Sequence, residues 1–188
     1  MKKIVFIILT LILFVGCQAK DLSSGPSEYE QYIGIVELNE REYKLINMAT
    51  NSDSLIYEYK VDALEQVLLV VDWYENGEII ETQKYASKTN EKEGFIVINS
   101  SDASNINLLA HINNSTVNVE TPAVYDNTKM AVMRRGFGGN VELDEDPICI
   151  YYKGYTGNAD VESISAIDFE PYIMRQFDHG FSIKVIFE

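Results

Sequence analysis

Apolar and polar residues alternate through Ser54–Val61, SLIYEYKV. Leu55, Tyr57, Tyr59 and Val61 fall on one face, and Ser54, Ile56, Glu58 and Lys60 on the other. That period of two predicts a half-buried strand whose tyrosines point inward. The next stretch, VLLVVDWYENGEIIETQKYA, is two strand-like runs around Asn76-Gly77. Asn-Gly tolerates positive φ at both centres of a type I′ turn, so the pattern predicts a hairpin of 67–75 with 78–86.

Short runs of the same kind continue to the C-terminal end. GFIVINSS and INLLAHINNSTVNVE read as strands broken by Asn and Ser clusters. KMAVMRRGFGGNVEL reads as strand, glycine hairpin loop, strand, and PICIYYKGYTGN as a strand leaving through a turn. In GFSIKVIFE, Phe181, Ile183, Val185 and Phe187 alternate with Ser182, Lys184 and Ile186. Repeated short strands predict an all-β, antiparallel, immunoglobulin-like sandwich. The alternative is α+β, with one or two short helices at 62–72 or 164–176. Asp62 and Glu65 stand three apart, as in a capping box, so one helical turn is expected between strands there.

The first residues follow a different rule. Met1-Lys2-Lys3 is a short positive segment, and Ile4–Val15 is uncharged. That run has signal-peptide length and falls short of the roughly 20 apolar residues of a membrane span. With its ending, Phe14-Val15-Gly16-Cys17, the leader resembles that of a bacterial lipoprotein precursor. The resemblance implies that the Cys17 thiol receives a diacylglyceryl group and that cleavage leaves Cys17 as the first residue. An ordinary secretory signal with an incidental cysteine is the alternative. Residues 1–16 are therefore expected to be a signal peptide. Residues 17–28 would be a lipidated cysteine and a flexible tether marked by Gly25-Pro26. Residues 29–188 would form a single β-rich domain. The expected location is the extracytoplasmic side of the cell membrane, with the membrane as partner through the N-terminal lipid. The body is loosely similar to small lipoproteins of Gram-positive bacteria without assigned activity, in its leader, its YENGE hairpin and the acidic turn before PICIYY.

Charge narrows the partners. The formal balance is −14 and becomes −16 once Lys2 and Lys3 leave with the leader. An acidic body argues against nucleic acid, whose phosphates need clustered Lys and Arg. A protein or cell-wall partner remains open. Cys149, the other cysteine, reads as a small buried hydrophobe.

No catalytic residue, metal ligand or cofactor is assigned. His111 and His179 lack metal-ligand spacing partners; His111 reads as a core or edge strand residue and His179 as a turn residue. Nor is there a G-x-S-x-G elbow. The acidic segment VELDEDP (Glu142, Asp144, Glu145, Asp146) lacks the EF-hand pattern and reads as a solvated turn. Trp73 follows Leu69 and Val71 on one face and reads as core. One stretch, RRGFGGN, could hold an anion. There Arg134 and Arg135 add positive charge, while Gly136, Gly138 and Gly139 free backbone N–H groups. The body otherwise reads as a non-enzymatic binding or accessory domain, with a surface hydrolase of dispersed residues or an envelope-protective, immunity-type lipoprotein as alternatives.

Overall fold

The computed structural model describes residues 29–50, 53–100, 108–119, 131–144, 146–157, 161 and 164–188. The leader, Cys17 and the tether lie outside these residues. No described helix is long and apolar enough to cross a membrane.

Two antiparallel sheets face each other. The first contains β1 (Tyr32–Ile35), β2 (Asp53–Lys60), β5 (Glu93–Ser100), β6 (Leu108–Ile112), β7 (Ser115–Val119) and β9 (Asn140–Glu142), in the order β7-β6-β5-β2-β1-β9. The second contains β3 (Gln66–Glu75), β4 (Glu78–Lys88), β8 (Ala131–Arg135), β10 (Ile148–Thr156) and β11 (His179–Phe187), in the order β4-β3-β11-β10-β8. The fold is thus an antiparallel sandwich, mostly β with short helices, as the alternating pattern predicts. The period-two reading of β2 holds for the tyrosines, since Tyr57, Tyr59 and Val61 are buried between the sheets, but Leu55 is only half-buried and Ser54 and Glu58 on the opposite face are buried too. Opposite them, the inner face of the second sheet carries Leu69, Val71 and Trp73 from β3 and Phe181, Ile183 and Val185 from β11. Trp73 and Phe181 are cross-strand neighbours, 5.0 Å between ring centroids, so the tryptophan is core.

The Asn-Gly hairpin forms as expected, with Asn76 at φ 49° and Gly77 at φ 84°. Three other features differ from the sequence expectation. The first is the turn at 62–65, which is not helical. Asp62 N–H donates to Gln31 Oε1, and the Glu65 and Gln66 N–H groups both donate to the Glu188 carbonyl. Tertiary partners take the donors that a helical turn would have used. The second is helix α1 (Glu40–Thr50), which no apolar period announced. Its start is capped on both sides: Asn39 Oδ1 accepts from the Arg41 and Glu42 N–H groups, and Glu42 Oε2 accepts from Asn39 N–H at 2.9 Å. The third is the glycine loop after β8, which makes no hairpin, because β8 and β9 edge different sheets.

The 164–176 segment is helical only as two 3-10 pieces, Ala166–Asp168 and Pro171–Gln176. They form a strap over the outer face of the second sheet. Phe169 packs on Tyr152 and Tyr74, and Phe177 lies over Gly154. A Cβ on Gly154 would stand 2.3 Å from the Phe177 ring, so a glycine in mid-strand is what lets the strap approach. On the same outer face Asp72, 4 % exposed, accepts from Lys184 Nζ at 2.8 Å and from Thr82 Oγ1 at 2.6 Å.

Candidate functional site

The residues singled out as possible anion ligands separate into two groups. Arg134 and Arg135 end β8, and Gly136 follows them directly; Gly138 and Gly139 lie further along the crossover, exposed. Gly139 is occupied with the chain itself, its carbonyl accepting from Ile35 N–H at 3.3 Å. Arg134, Arg135 and Gly136 instead line a recess of about 200 Å³ with Tyr43 of α1, Ser54 and Leu55 of β2, and Tyr151 of β10. The recess therefore draws on one helix and both sheets.

Its floor explains Gly136. A Cβ there would meet the Tyr57 hydroxyl at 2.6 Å and Leu55 Cδ1 at 2.8 Å, so only glycine lets the crossover close against β2. Phe137 then turns inward and packs on Tyr57, 5.1 Å between ring centroids. The Tyr57 hydroxyl donates to the Ile150 carbonyl across the core, and burial raises its pKa. Ser54 on the recess wall donates from Oγ to Asn99 Oδ1 at 2.6 Å.

Three basic residues, Arg134, Arg135 and Lys153, stand close together in the β8–β10 ladder at this end of the sandwich. Arg134 is half-buried and Arg135 exposed, with Arg135 Nη1 donating to the Arg134 carbonyl at 3.1 Å. In the β8–β10 ladder Arg134 stands directly opposite Lys153. Lys153 is fully buried; its Nζ donates to Ser100 Oγ at 3.1 Å, crossing from one sheet to the other, and lies 5.6 Å from the Tyr155 ring centroid. Sequence reasoning passed over Lys153 because a lysine inside an apolar strand gives no pattern signal beyond its own position.

A broader, open depression of about 540 Å³ runs along Asn39, Glu40, Arg41, Lys44 and Leu45 of the α1 region. Its Glu40 and Lys44 are engaged with each other at 2.5 Å.

No protein-family model matches this chain. No curated protein and no solved structure matches it either. The chemistry of the site must therefore be read from its own residues.

The other sequence candidates do not converge on the recess. His111 lies on β6, where Nδ1 is 3.0 Å from Thr116 Oγ1. His179 opens β11 rather than sitting in a turn, because its backbone pairs with both Glu75 and Tyr155; its Nδ1 is 4.0 Å from Glu75 Oε1. The two histidines are on different sheets. In the acidic segment Glu142, Asp144 and Asp146 are exposed, Asp144 Oδ1 accepts from Asp146 N–H, and Glu145 lies outside the described residues. Among the described residues no three His, Cys, Asp or Glu side chains group as metal ligands. Cys149 is buried on β10, and burial pushes its thiol up to about 12, so it is neutral and unreactive in the folded protein at physiological pH.

Proposed function

We propose that this chain is a lipid-anchored, non-enzymatic binding domain held on the outer face of the cytoplasmic membrane. Support for the anchor comes from the leader: a positive start, a short apolar run and a small residue before Cys17. Durable anchoring then follows from acyl chains, each buried CH₂ contributing about 0.8 kcal/mol. Support for binding rests on one observation, the recess that α1, β2, β8 and β10 close between them. Concave sites with a few polar groups on a rigid scaffold are where small ligands are held. Residues 17–28 would give the domain reach from the bilayer toward a wall or protein partner.

The test of the anchor is metabolic palmitate labelling of the full chain in a bacterium that processes lipoproteins. The wild-type chain takes the label and fractionates with membranes, and Cys17→Ala does neither. Equal labelling of Cys17→Ala would overturn the anchor. Turnover of an ester, peptide or glycoside by the purified chain would overturn the non-enzymatic half of the reading.

A further inference from the structure

We infer that the outer edge of β7 takes an extended, basic peptide segment of another protein as an added strand. This goes beyond the reading above, since β6 and β5 separate β7 from β2 and the recess. An end strand turns a row of backbone N–H and C=O groups away from its sheet, and proteins blunt such edges with charge, bulges or shortness. Among the described residues four strands end the two sheets. β4 carries Glu78, Glu81, Lys84 and Lys88, and a register shift opposite Trp73 and Tyr74. β8 ends in Arg134 and Arg135, and β9 has three residues, one of them Glu142. β7 alone has none of these devices. Its residues, Ser115-Thr116-Val117-Asn118-Val119, are uncharged, include no proline and pair with β6 in unbroken register.

The phase of the ladder says which groups face out. Asn113 N–H donates to the Phe95 carbonyl of β5 at 2.9 Å. Bonding alternates along an antiparallel strand, so Ile112 and Ala110 bond instead to their β7 partners Ser115 and Val117. Thr116 and Asn118 then turn their backbone groups away from β6. The edge is held in place from behind. Asn113 Oδ1 accepts from Phe95 N–H and its Nδ2 donates to the Tyr59 hydroxyl, both at 2.9 Å, while His111 Nδ1 lies 3.0 Å from Thr116 Oγ1. An ordered edge leaves only the incoming segment to lose conformational freedom. A row of backbone donors and acceptors is matched by another extended backbone, whose side chains alternate in face. Val117, half-buried on the inner face, favours a β-branched residue opposite it. Charge selects the source. The chain carries 29 acidic against 15 basic residues, so a segment with Lys or Arg is drawn in and a second copy is repelled. Five residues, about 17 Å of strand, are also too short an edge to bury the roughly 1,200 Å² of a standard specific dimer interface.

Fluorescence anisotropy of the full chain in detergent, with a fluorescein-labelled peptide Lys-Thr-Val-Thr-Val-Thr-Lys as probe, tests this. Saturable binding with a Kd of about 100 μM or tighter is expected. The same peptide N-methylated at its three central residues loses donors on both edges and should bind at least about tenfold more weakly. A version with Glu in place of both Lys should weaken by a similar factor of about ten. On the protein side, Thr116→Pro and Asn118→Pro each remove an outward N–H and leave the β6 ladder intact, which circular dichroism verifies; each should lower affinity about tenfold. Were the proline variants to lose their fold, the N-methylated peptide, which leaves the protein untouched, still decides. Equal binding of that peptide, no saturable binding of the parent, or unchanged affinity in both proline variants would overturn strand addition. Equal binding of the Glu version would overturn the basic partner. A dimer of the full chain that Thr116→Pro dissociates would assign the edge to a second copy and overturn the foreign segment. Palmitate labelling is read separately on the same chain, so failure of the peptide to bind leaves the anchor standing, and failure of labelling leaves this inference standing.

Discussion

The buried thiol of Cys149 makes the fold sensitive to alkali in a way that can be calculated. Its folded pKa is raised from 9.0 to about 12, chiefly by burial, although Lys184 pulls it down. A neutral thiol is favoured in the folded state, so between pH 9 and about 12 the folded chain holds a proton that the unfolded chain has lost. Stability from this group is therefore fully present below pH 9 and is lost as pH rises toward 12. At 1.36 kcal/mol per unit, the loss is about 4 kcal/mol over the whole interval. The perturbation is Cys149→Ala, which removes the titration and costs about 1 kcal/mol of packing at neutral pH. The assay is urea unfolding of both proteins at pH steps from 7 to 11. Cys17 and the tyrosines are common to both, so the difference between the curves isolates the thiol. Wild type should be more stable at pH 7 and lose that lead as pH rises, by roughly 1.4 kcal/mol per unit above pH 9. Parallel pH profiles, or rapid modification of the thiol of the native protein at pH 8, would refute the reasoning.

Two further expectations follow from the second sheet. Asp72→Asn should cost about 2 kcal/mol by urea unfolding, less than a fully buried broken pair because Lys184 keeps 23 % side-chain exposure. Burial lowers the Lys184 pKa, but the Asp72 hydrogen bond and charge outweigh it and leave it raised, so the Lys184 contribution is fully present below pH 10.5 and on the alkaline side the wild-type advantage should shrink above that; a difference that disappears between pH 6 and 9 would contradict the pairing. Gly154→Ala should cost roughly 1–3 kcal/mol, since its methyl would meet the Phe177 ring at 2.3 Å. That cost should fall markedly in a Phe177→Ala background, and strict additivity of the two substitutions would show that the strap does not press on the glycine.

What could be read from the sequence follows from where the driving forces are local. Tyr57 and Tyr59 declare their face by alternation, and Asn76-Gly77 fixes its turn by backbone sterics, so both were legible. The α1 helix was also written locally, in Asn39 and Glu42, but its exposed Leu45 and Met48 blur the apolar stripe that would have drawn attention to it. The Asp62–Glu65 turn misled because its donors are claimed by Gln31 and by Glu188, 122 residues beyond Gln66. No local rule contains that competition. The anion candidate was legible in part: Arg134, Arg135 and Gly136 converge, whereas Tyr43, Leu55 and Tyr151 come from three other elements and join them only through the tertiary fold. The crossover read as a hairpin because local sequence does not say which sheet a strand will enter.

The position of β11 in its sheet has a kinetic consequence. It sits between β3 and β10, and it is the last of the described strands in chain order. Trp73 must wait for Phe181, more than a hundred positions later, before its neighbour on that side exists. In the completed sheet β11 is the strand that joins the β4–β3 pair to the β10–β8 pair. Loop closure over such a separation is slow relative to hairpin formation. A chain built this way commits to its final form late, and remains threadable and vulnerable to mispairing until its closing strand slots into the gap.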